Sequence, residues 1–257
     1  MNTKISDWTK TKVWLVGASD GIGAALAKKL LALGATVILS ARRREKLEEV
    51  AKGFSNAIIM PLDALDLSAL TLAADSIDGL NLVIYMAADY SPMTSDKLNA
   101  EIAGRIIDVN FKGAINLSAV VIPKLLERKK NHPNEIVHLS LVASVAGFIG
   151  LPQSSVYGAT KAALINFGES LYFDLHRIGL DVSIVNPGFV KTRLTEKNDF
   201  PMPSIMTPEI AADEIIKGYE RGVFANTFPF AFSLFFRFLR ILPYSWHFKI
   251  MNLSVKV

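Results

Sequence analysis

The chain has 257 residues, 51% of them hydrophobic and 20% charged, with a mean hydropathy of +0.31. This excludes a disordered or polyelectrolyte chain, and the absence of cysteine excludes disulfides, thiolate nucleophiles and Cys-ligated metal centres. Net charge is +4, but five of the 28 basic residues (Arg221, Arg237, Arg240, Lys249, Lys256) and none of the 24 acidic ones follow Glu220, which leaves −1 on the first 220 residues and no basic body for nucleic acid.

The stretch from Met1 to Lys12 is polar, with Lys4, Asp7, Lys10 and Lys12, and lacks the apolar run of a secretory signal, so a cytoplasmic location is expected. Apolar, β-branched runs then predict strands at Val13–Val16, Thr36–Ser40, Ala57–Pro61, Leu82–Met86, Ile136–Ser140, Val182–Asn186 and Val223–Phe228. They lack a polar face, as parallel strands covered on both sides do. Between them, helical patterns cover Ile22–Leu33, Arg43–Lys52, Leu67–Ile77, Ala100–Glu127, Ser154–Arg177 and Pro208–Arg221. The alternation predicts an α/β fold: a single doubly wound parallel sheet of Rossmann type, with helices on both faces. No linker or repeat interrupts it, so we read residues 1–222 as one domain and 223–257 as an apolar, basic C-terminal helical extension of it.

Gly17-Ala18-Ser19-Asp20-Gly21-Ile22-Gly23 follows the first strand and opens the first helix, where a phosphate-binding turn must sit. A plain strand–turn–helix corner also uses glycines. After the second strand, an acid would select the ribose 2′-hydroxyl of NAD; here Ser40-Ala41-Arg42-Arg43-Arg44 places arginines instead. Arg42 and Arg43 suit a 2′-phosphate, so NADP(H) is expected in preference to NAD(H). A solvated helix start is the alternative.

Tyr157 and Lys161 stand i, i+4 on a helical pattern, one turn apart on one face. A neighbouring ammonium stabilises phenolate and lowers a tyrosine's pKa from about 10, which makes proton exchange feasible. Alone, such a pair is more often an exposed helix face.

Gly-x-x-x-Gly-x-Gly, Asn110, Ser144, Tyr157-x-x-x-Lys161 and Asn186-Pro187-Gly188 occur in the order seen in the short-chain dehydrogenase/reductase family, which the chain resembles from about Lys12 to Arg221. The resemblance implies Tyr157 as general acid/base and Lys161 as the residue that lowers its pKa and binds the nicotinamide ribose. It implies Ser144 as hydrogen-bond donor to the substrate oxygen, and Asn110 as holder of a water beside Lys161. Asp63 is similar to the family's adenine-contacting acid, and Val190 and Thr192 to positions that hold the carboxamide. The implied activity interconverts a carbonyl and a secondary alcohol, and the family's pairing habit implies a homodimer or homotetramer.

Where the family carries Asn-Asn-Ala-Gly, this chain reads Tyr85-Met86-Ala87-Ala88. The expectation is that Tyr85 and Met86 remove hydrogen bonds bracing the sheet, and that Ala88 crowds the adenosine ribose beside Ala87. This change sustains a second reading, a cofactor-binding regulatory or scaffold protein with little turnover. The pocket lining is expected from Ser91–Lys97, Phe148–Gln153 and Phe189–Thr207, the last a lid with Pro201, Pro203 and Pro208 at its end. Its apolar residues favour a lipophilic substrate. His132, His138, His176 and His247 lack metal-ligand spacing; His138 reads as core and the others as surface.

Eight of the 15 phenylalanines lie between Phe224 and Phe248. Phe230–Leu242 predicts a helix of about 20 Å, short of the roughly 30 Å of a bilayer core. Ser233, Arg237 and Arg240 at i, i+4 and i+7 predict one narrow polar stripe. Two uses remain open: peripheral membrane contact through residues 228–250, or packing over the substrate site or a neighbouring subunit.

Overall fold

The computed structural model describes residues 1–200 and 202–254; Pro201 of the expected lid and residues 255–257, Lys256 among them, lie outside the described residues. Strands β1 (Lys12–Val16), β2 (Thr36–Ser40), β3 (Ala57–Ile59), β4 (Leu82–Tyr85), β5 (His138–Val142), β6 (Asp181–Pro187) and β7 (Ala225–Phe228) form one sheet. Their order is β3-β2-β1-β4-β5-β6-β7, and every neighbouring pair is parallel.

The helices are α1 (Gly21–Ala32), α2 (Arg44–Ala51), α3 (Leu67–Ser76), α4 (Ala100–Ile107), α5 (Gly113–Asn131), α6 (Ser155–Leu175), α7 (Pro208–Arg221), α8 (Phe230–Ile241) and α9 (Tyr244–Ser254). Because side chains alternate along a strand, Val13 and Leu15 of β1 face one layer while Trp14 and Val16 face the other. On the first side α1, α2 and α7 bury Leu26, Leu30, Leu47, Ala212 and Ile215. On the second side α3, α5 and α6 bury Leu70, Leu117, Val121 and Leu164. The sheet is thus covered on both faces, which is why its strands carry no polar face.

Four expectations are corrected. The pattern from Ala100 to Glu127 is not one helix: a π-helical turn, Asp108–Lys112, joins α4 to α5. Helix α9, after Pro243, was not foreseen. Ser233 does not face outward with the arginines; it is buried and donates to the Phe230 carbonyl at 2.8 Å, so the polar stripe is broken. His247 is buried rather than on the surface, with Nδ1 3.1 Å from the Leu239 carbonyl. Among the described residues, one helical run, Ala100–Asn131, is long and apolar enough by length and composition to cross a membrane. Its apolar side, Leu117, Val121 and Leu125, is spent on the sheet.

Candidate active site

The strand order reverses between β1 and β4, and the crevice outside the carboxyl ends of those strands is where an open α/β sheet offers a binding site. A cleft of about 290 Å³ lies there. It is lined by Gly17, Ser19, Asp20, Gly21, Ile22, Gly23, Arg42, Arg43, Asp63, Ala87, Ala88, Ser144, Tyr157, Lys161, Pro187, Gly188, Val190 and Thr192. Asn110 lies behind the wall, fully buried. The fold therefore gathers residues from seven separate stretches of sequence around one space.

The glycine turn is held by its backbone: the Gly17 amide donates to the Ser40 carbonyl at 2.8 Å. Gly17 has φ +101°, and a Cβ there would stand 2.5 Å from the Ala87 nitrogen, so only glycine fits. Asp20 caps α1, accepting from the Gly21 amide at 2.8 Å. The first turn of α1 lines the cleft, and glycine at 17 and 21 keeps side chains of the turn itself out of it, a cradle that fits the pyrophosphate of a dinucleotide. Ala87 and Ala88 both have ordinary backbone, since Gln153 and Ser204 are the positive-φ non-glycine residues among those described. At the outer edge the Asp20 carboxylate is 4.0 Å from Arg43 and 3.5 Å from Arg193. Arg193 was not singled out from the sequence; its place directly after Thr192, on the same loop, was the available signal.

Three elements deliver the four candidate catalytic residues. Ser144 follows β5, and its hydroxyl accepts from the Ala146 amide at 3.1 Å and donates to the Pro187 carbonyl at 3.3 Å. Tyr157 and Lys161 lie on the first turns of α6, with the Lys161 ammonium 5.6 Å from the Tyr157 ring centre. Asn110 sits in the π turn; its Oδ1 accepts from the Asp89 amide at 2.7 Å, and its Nδ2 donates to the Asp89 carbonyl and the Thr160 hydroxyl, both at 3.0 Å. These bonds fix its side chain by three partners.

The electrostatics differ from the sequence expectation. Lys161 Nζ donates to the Val142 carbonyl at 2.9 Å, not to the phenol. Burial pushes the Tyr157 pKa up to about 12, opposed by its hydrogen bond to Ser144, and pulls that of Lys161 down to about 7. Desolvation is the largest cause for both groups. Unfolded, Lys161 titrates at its ordinary value, so above pH 7 the unfolded chain holds the extra proton and folding stability rises with pH. The cofactor-free protein is expected to gain stability between pH 7 and about pH 10, by at most about 1.4 kcal/mol per pH unit. Urea titrations of wild type and Lys161→Met at several pH values measure this; the substitution should flatten the slope.

Tyr85 corrects the expected loss of bracing. Its ring is fully buried, and its hydroxyl donates to the Val109 carbonyl at 2.5 Å. That carbonyl lies in the π turn, one residue from Asn110, so the tyrosine supplies a brace of its own from β4 to the candidate site. It can reach because residue 113 is glycine; a side chain there would collide with the Tyr85 hydroxyl. Tyr85→Phe leaves the buried carbonyl unpaired and is expected to cost about 1–3 kcal/mol of stability, read by urea denaturation.

Tyr90, also missed from the sequence, packs edge-to-face on Tyr157 at 5.0 Å between ring centres. Its hydroxyl donates to Asn198 at 2.7 Å, and Lys197 donates to its carbonyl at 2.5 Å, so it ties the β4 loop to the segment over the cleft. Phe189, on the same segment, meets Phe200 at 6.1 Å and Phe232 of α8 at 5.6 Å. An aromatic cluster thus adjoins the wall of the cleft at Gly188 and Val190.

Comparison with known proteins bears on the same residues. A family model described as short chain dehydrogenase matches residues 11–201. An uncharacterized oxidoreductase of Myxococcus xanthus is 34% identical over 237 residues, 89% of this chain and 91% of its own length. Among solved structures, a short chain dehydrogenase from Burkholderia cenocepacia in complex with NADP superposes with a TM-score of 0.82 at 20% identity, covering 94% of this chain and 98% of its own. A short chain dehydrogenase/reductase from Burkholderia phymatum in complex with NAD gives 0.80 at 20% identity, with 91% and 94% covered.

Proposed function

The chain belongs to the short-chain dehydrogenase family, and from that premise we propose that it is an NADP(H)-dependent oxidoreductase that interconverts a lipophilic carbonyl compound and its secondary alcohol. The observation that carries this reading is the meeting, in one cleft, of the glycine turn with Ser144, Tyr157 and Lys161. The solved relatives with NADP and NAD support a nicotinamide dinucleotide, and Arg42, Arg43 and Arg193 at the cleft edge favour the phosphorylated form. When bound, the cofactor supplies or accepts the hydride.

The residues do the rest. The α1 N-terminus and glycine turn hold the pyrophosphate, with Asp63 at the adenine end and Val190 and Thr192 beside the nicotinamide. Ser144 donates a hydrogen bond to the substrate oxygen, where negative charge develops during reduction. Tyr157 gives its proton to that oxygen, or takes it back during oxidation. A phenol held at about 12 stays protonated near neutrality, which suits the acid role of the reductive direction. Lys161 binds the ribose and, wherever it holds its proton, offsets phenolate charge after proton loss. Asn110, pinned by Asp89 and Thr160, keeps the π turn in register behind them.

Phe189, Phe200 and Phe232 favour a substrate with apolar substituents. Exposed Ile115 on α5 and Phe173 on α6 support a homodimer or homotetramer paired through those long helices. The scaffold reading loses one of its supports, because Tyr85 supplies a brace of its own to the π turn.

The test is a series of methyl ketones of increasing chain length assayed with NADPH. Each methylene buried against the aromatic cluster contributes about 0.8 kcal/mol, so kcat/KM should climb about fourfold per carbon until the cluster is covered. NADPH binding with no turnover of any ketone or alcohol would return the protein to the scaffold class.

A further inference from the structure

The C-terminal helices divide into two faces. On the inner face, Phe236 and Leu239 of α8 pack with Val145, Phe148, Leu151, Ile250 and Met251, while Phe232 meets Phe189 at the cleft. Buried Ser233 and His247 satisfy themselves on the carbonyls of Phe230 and Leu239. The helix pair is therefore docked on the domain and cannot turn its other face inward.

That outer face is apolar and open. Phe230, Leu234, Phe238 and Ile241 follow at i, i+4, i+8 and i+11, one stripe along α8, with exposures of 74%, 53%, 53% and 78%. Phe235 borders the stripe, and Tyr244, Trp246 and Phe248 of α9 add exposed aromatic rings. So many large apolar side chains on a few turns exceed what a free surface ordinarily shows. Exposed Arg237, Arg240 and Lys249 accompany them, and no acidic residue occurs after Glu220.

We propose that this face docks the protein on an anionic lipid surface, with α8 and α9 lying in the headgroup region. The charge pattern decides between occupants. A second copy related by a two-fold axis would bring the same basic edges together with no carboxylate of the tail to neutralise them. Anionic headgroups supply that neutralisation, while the phenylalanines enter the acyl boundary and Trp246 and Tyr244 take the interface their amphipathic rings prefer. At 12 residues α8 is about 18 Å long, too short to cross a bilayer and suited to lying on one. Seated this way, α8 is a wall between lipid and cleft, with Phe232 on one side and Leu234 and Phe238 on the other.

The experiment is flotation of the full-length protein with vesicles of phosphatidylcholine and phosphatidylglycerol, against phosphatidylcholine alone, with sedimentation analysis of its mass. The two variants are Leu234→Glu/Phe238→Glu and Arg240→Glu/Lys249→Glu, all exposed positions clear of the cleft. Wild type should float with the mixed vesicles and weakly with the neutral ones. Each basic residue near the surface is worth about fivefold in partition, so Arg240→Glu/Lys249→Glu should lose about twenty-five-fold or more. Leu234→Glu/Phe238→Glu should stay with the soluble fraction at unchanged mass and thermal midpoint. Wild type that stays soluble with both vesicles overturns the proposal. So does equal flotation on neutral vesicles, or a fall in oligomeric mass in Leu234→Glu/Phe238→Glu, which assigns the face to a second copy. None of these outcomes touches the chemistry of the cleft, and the proposed function is judged separately by turnover.

Discussion

Tyr157→Phe is expected to lower kcat/KM for ketone reduction by about 10²–10⁴-fold, the range a positioned general acid contributes. The change removes one oxygen and no packing. The ring keeps its edge-to-face contact with Tyr90, and Lys161 keeps its bond to the Val142 carbonyl. NADPH affinity should therefore change by no more than about twofold, measured by fluorescence titration beside the steady-state assay. The reverse reaction adds a pH signature. Alcohol oxidation needs the phenolate, and below a pKa of about 12 its fraction rises about tenfold per pH unit, so the oxidation rate should climb through the alkaline range while reduction stays level. Bound cofactor that brings Lys161 to the phenol would move the climb to lower pH without removing it. Substantial turnover by Tyr157→Phe would show that the proton comes from elsewhere.

The doubly wound sheet was legible because its strands are buried on both sides. Trp14, Val83 and Leu141 face one layer, and Leu15 and Ile84 the other, so the sequence reads as continuous apolar runs between helices. The cleft residues were legible because backbone geometry forces their type. A turn with φ +101° at Gly17 and a helical i, i+4 pair leave marks in residue identity and spacing. What stayed hidden depends on partners far away in the chain. Nothing between Ala100 and Glu127 announces the π turn; its cause is the Val109 carbonyl drawn to Tyr85 and the Asn110 amide drawn to Asp89 and Thr160. Spacing brought Lys161 near Tyr157, but the partner of its ammonium belongs to β5. Ser233 and His247 were read outward on polarity alone, whereas each finds a carbonyl within its own helix pair and is buried at little cost.

Replacing Arg42 and Arg43 together by alanine is expected to weaken NADPH binding by about 1.5–3 kcal/mol for each charged hydrogen bond lost, roughly ten- to more than a hundredfold apiece. NADH should change far less, by about threefold or under, since it lacks the 2′-phosphate these side chains would meet. The structure sharpens the test, because Arg43 and Arg193 flank the carboxylate of Asp20. Asp20 caps α1 through the Gly21 amide, so an arginine could act on the helix start instead of the phosphate. These roles separate by cofactor. Loss of a helix partner would weaken NADPH and NADH equally and lower the thermal midpoint, whereas loss of a phosphate partner weakens NADPH alone and leaves the melt unchanged. Arg193→Ala extends the comparison. It stands on the Thr192 loop, nearer the phosphate turn by its pairing with Asp20, and a NADPH-selective loss there would make the 2′-phosphate site a three-arginine edge. Raised salt should reduce the NADPH advantage of the wild type in step, because all three guanidinium groups sit in solvent where counterions compete.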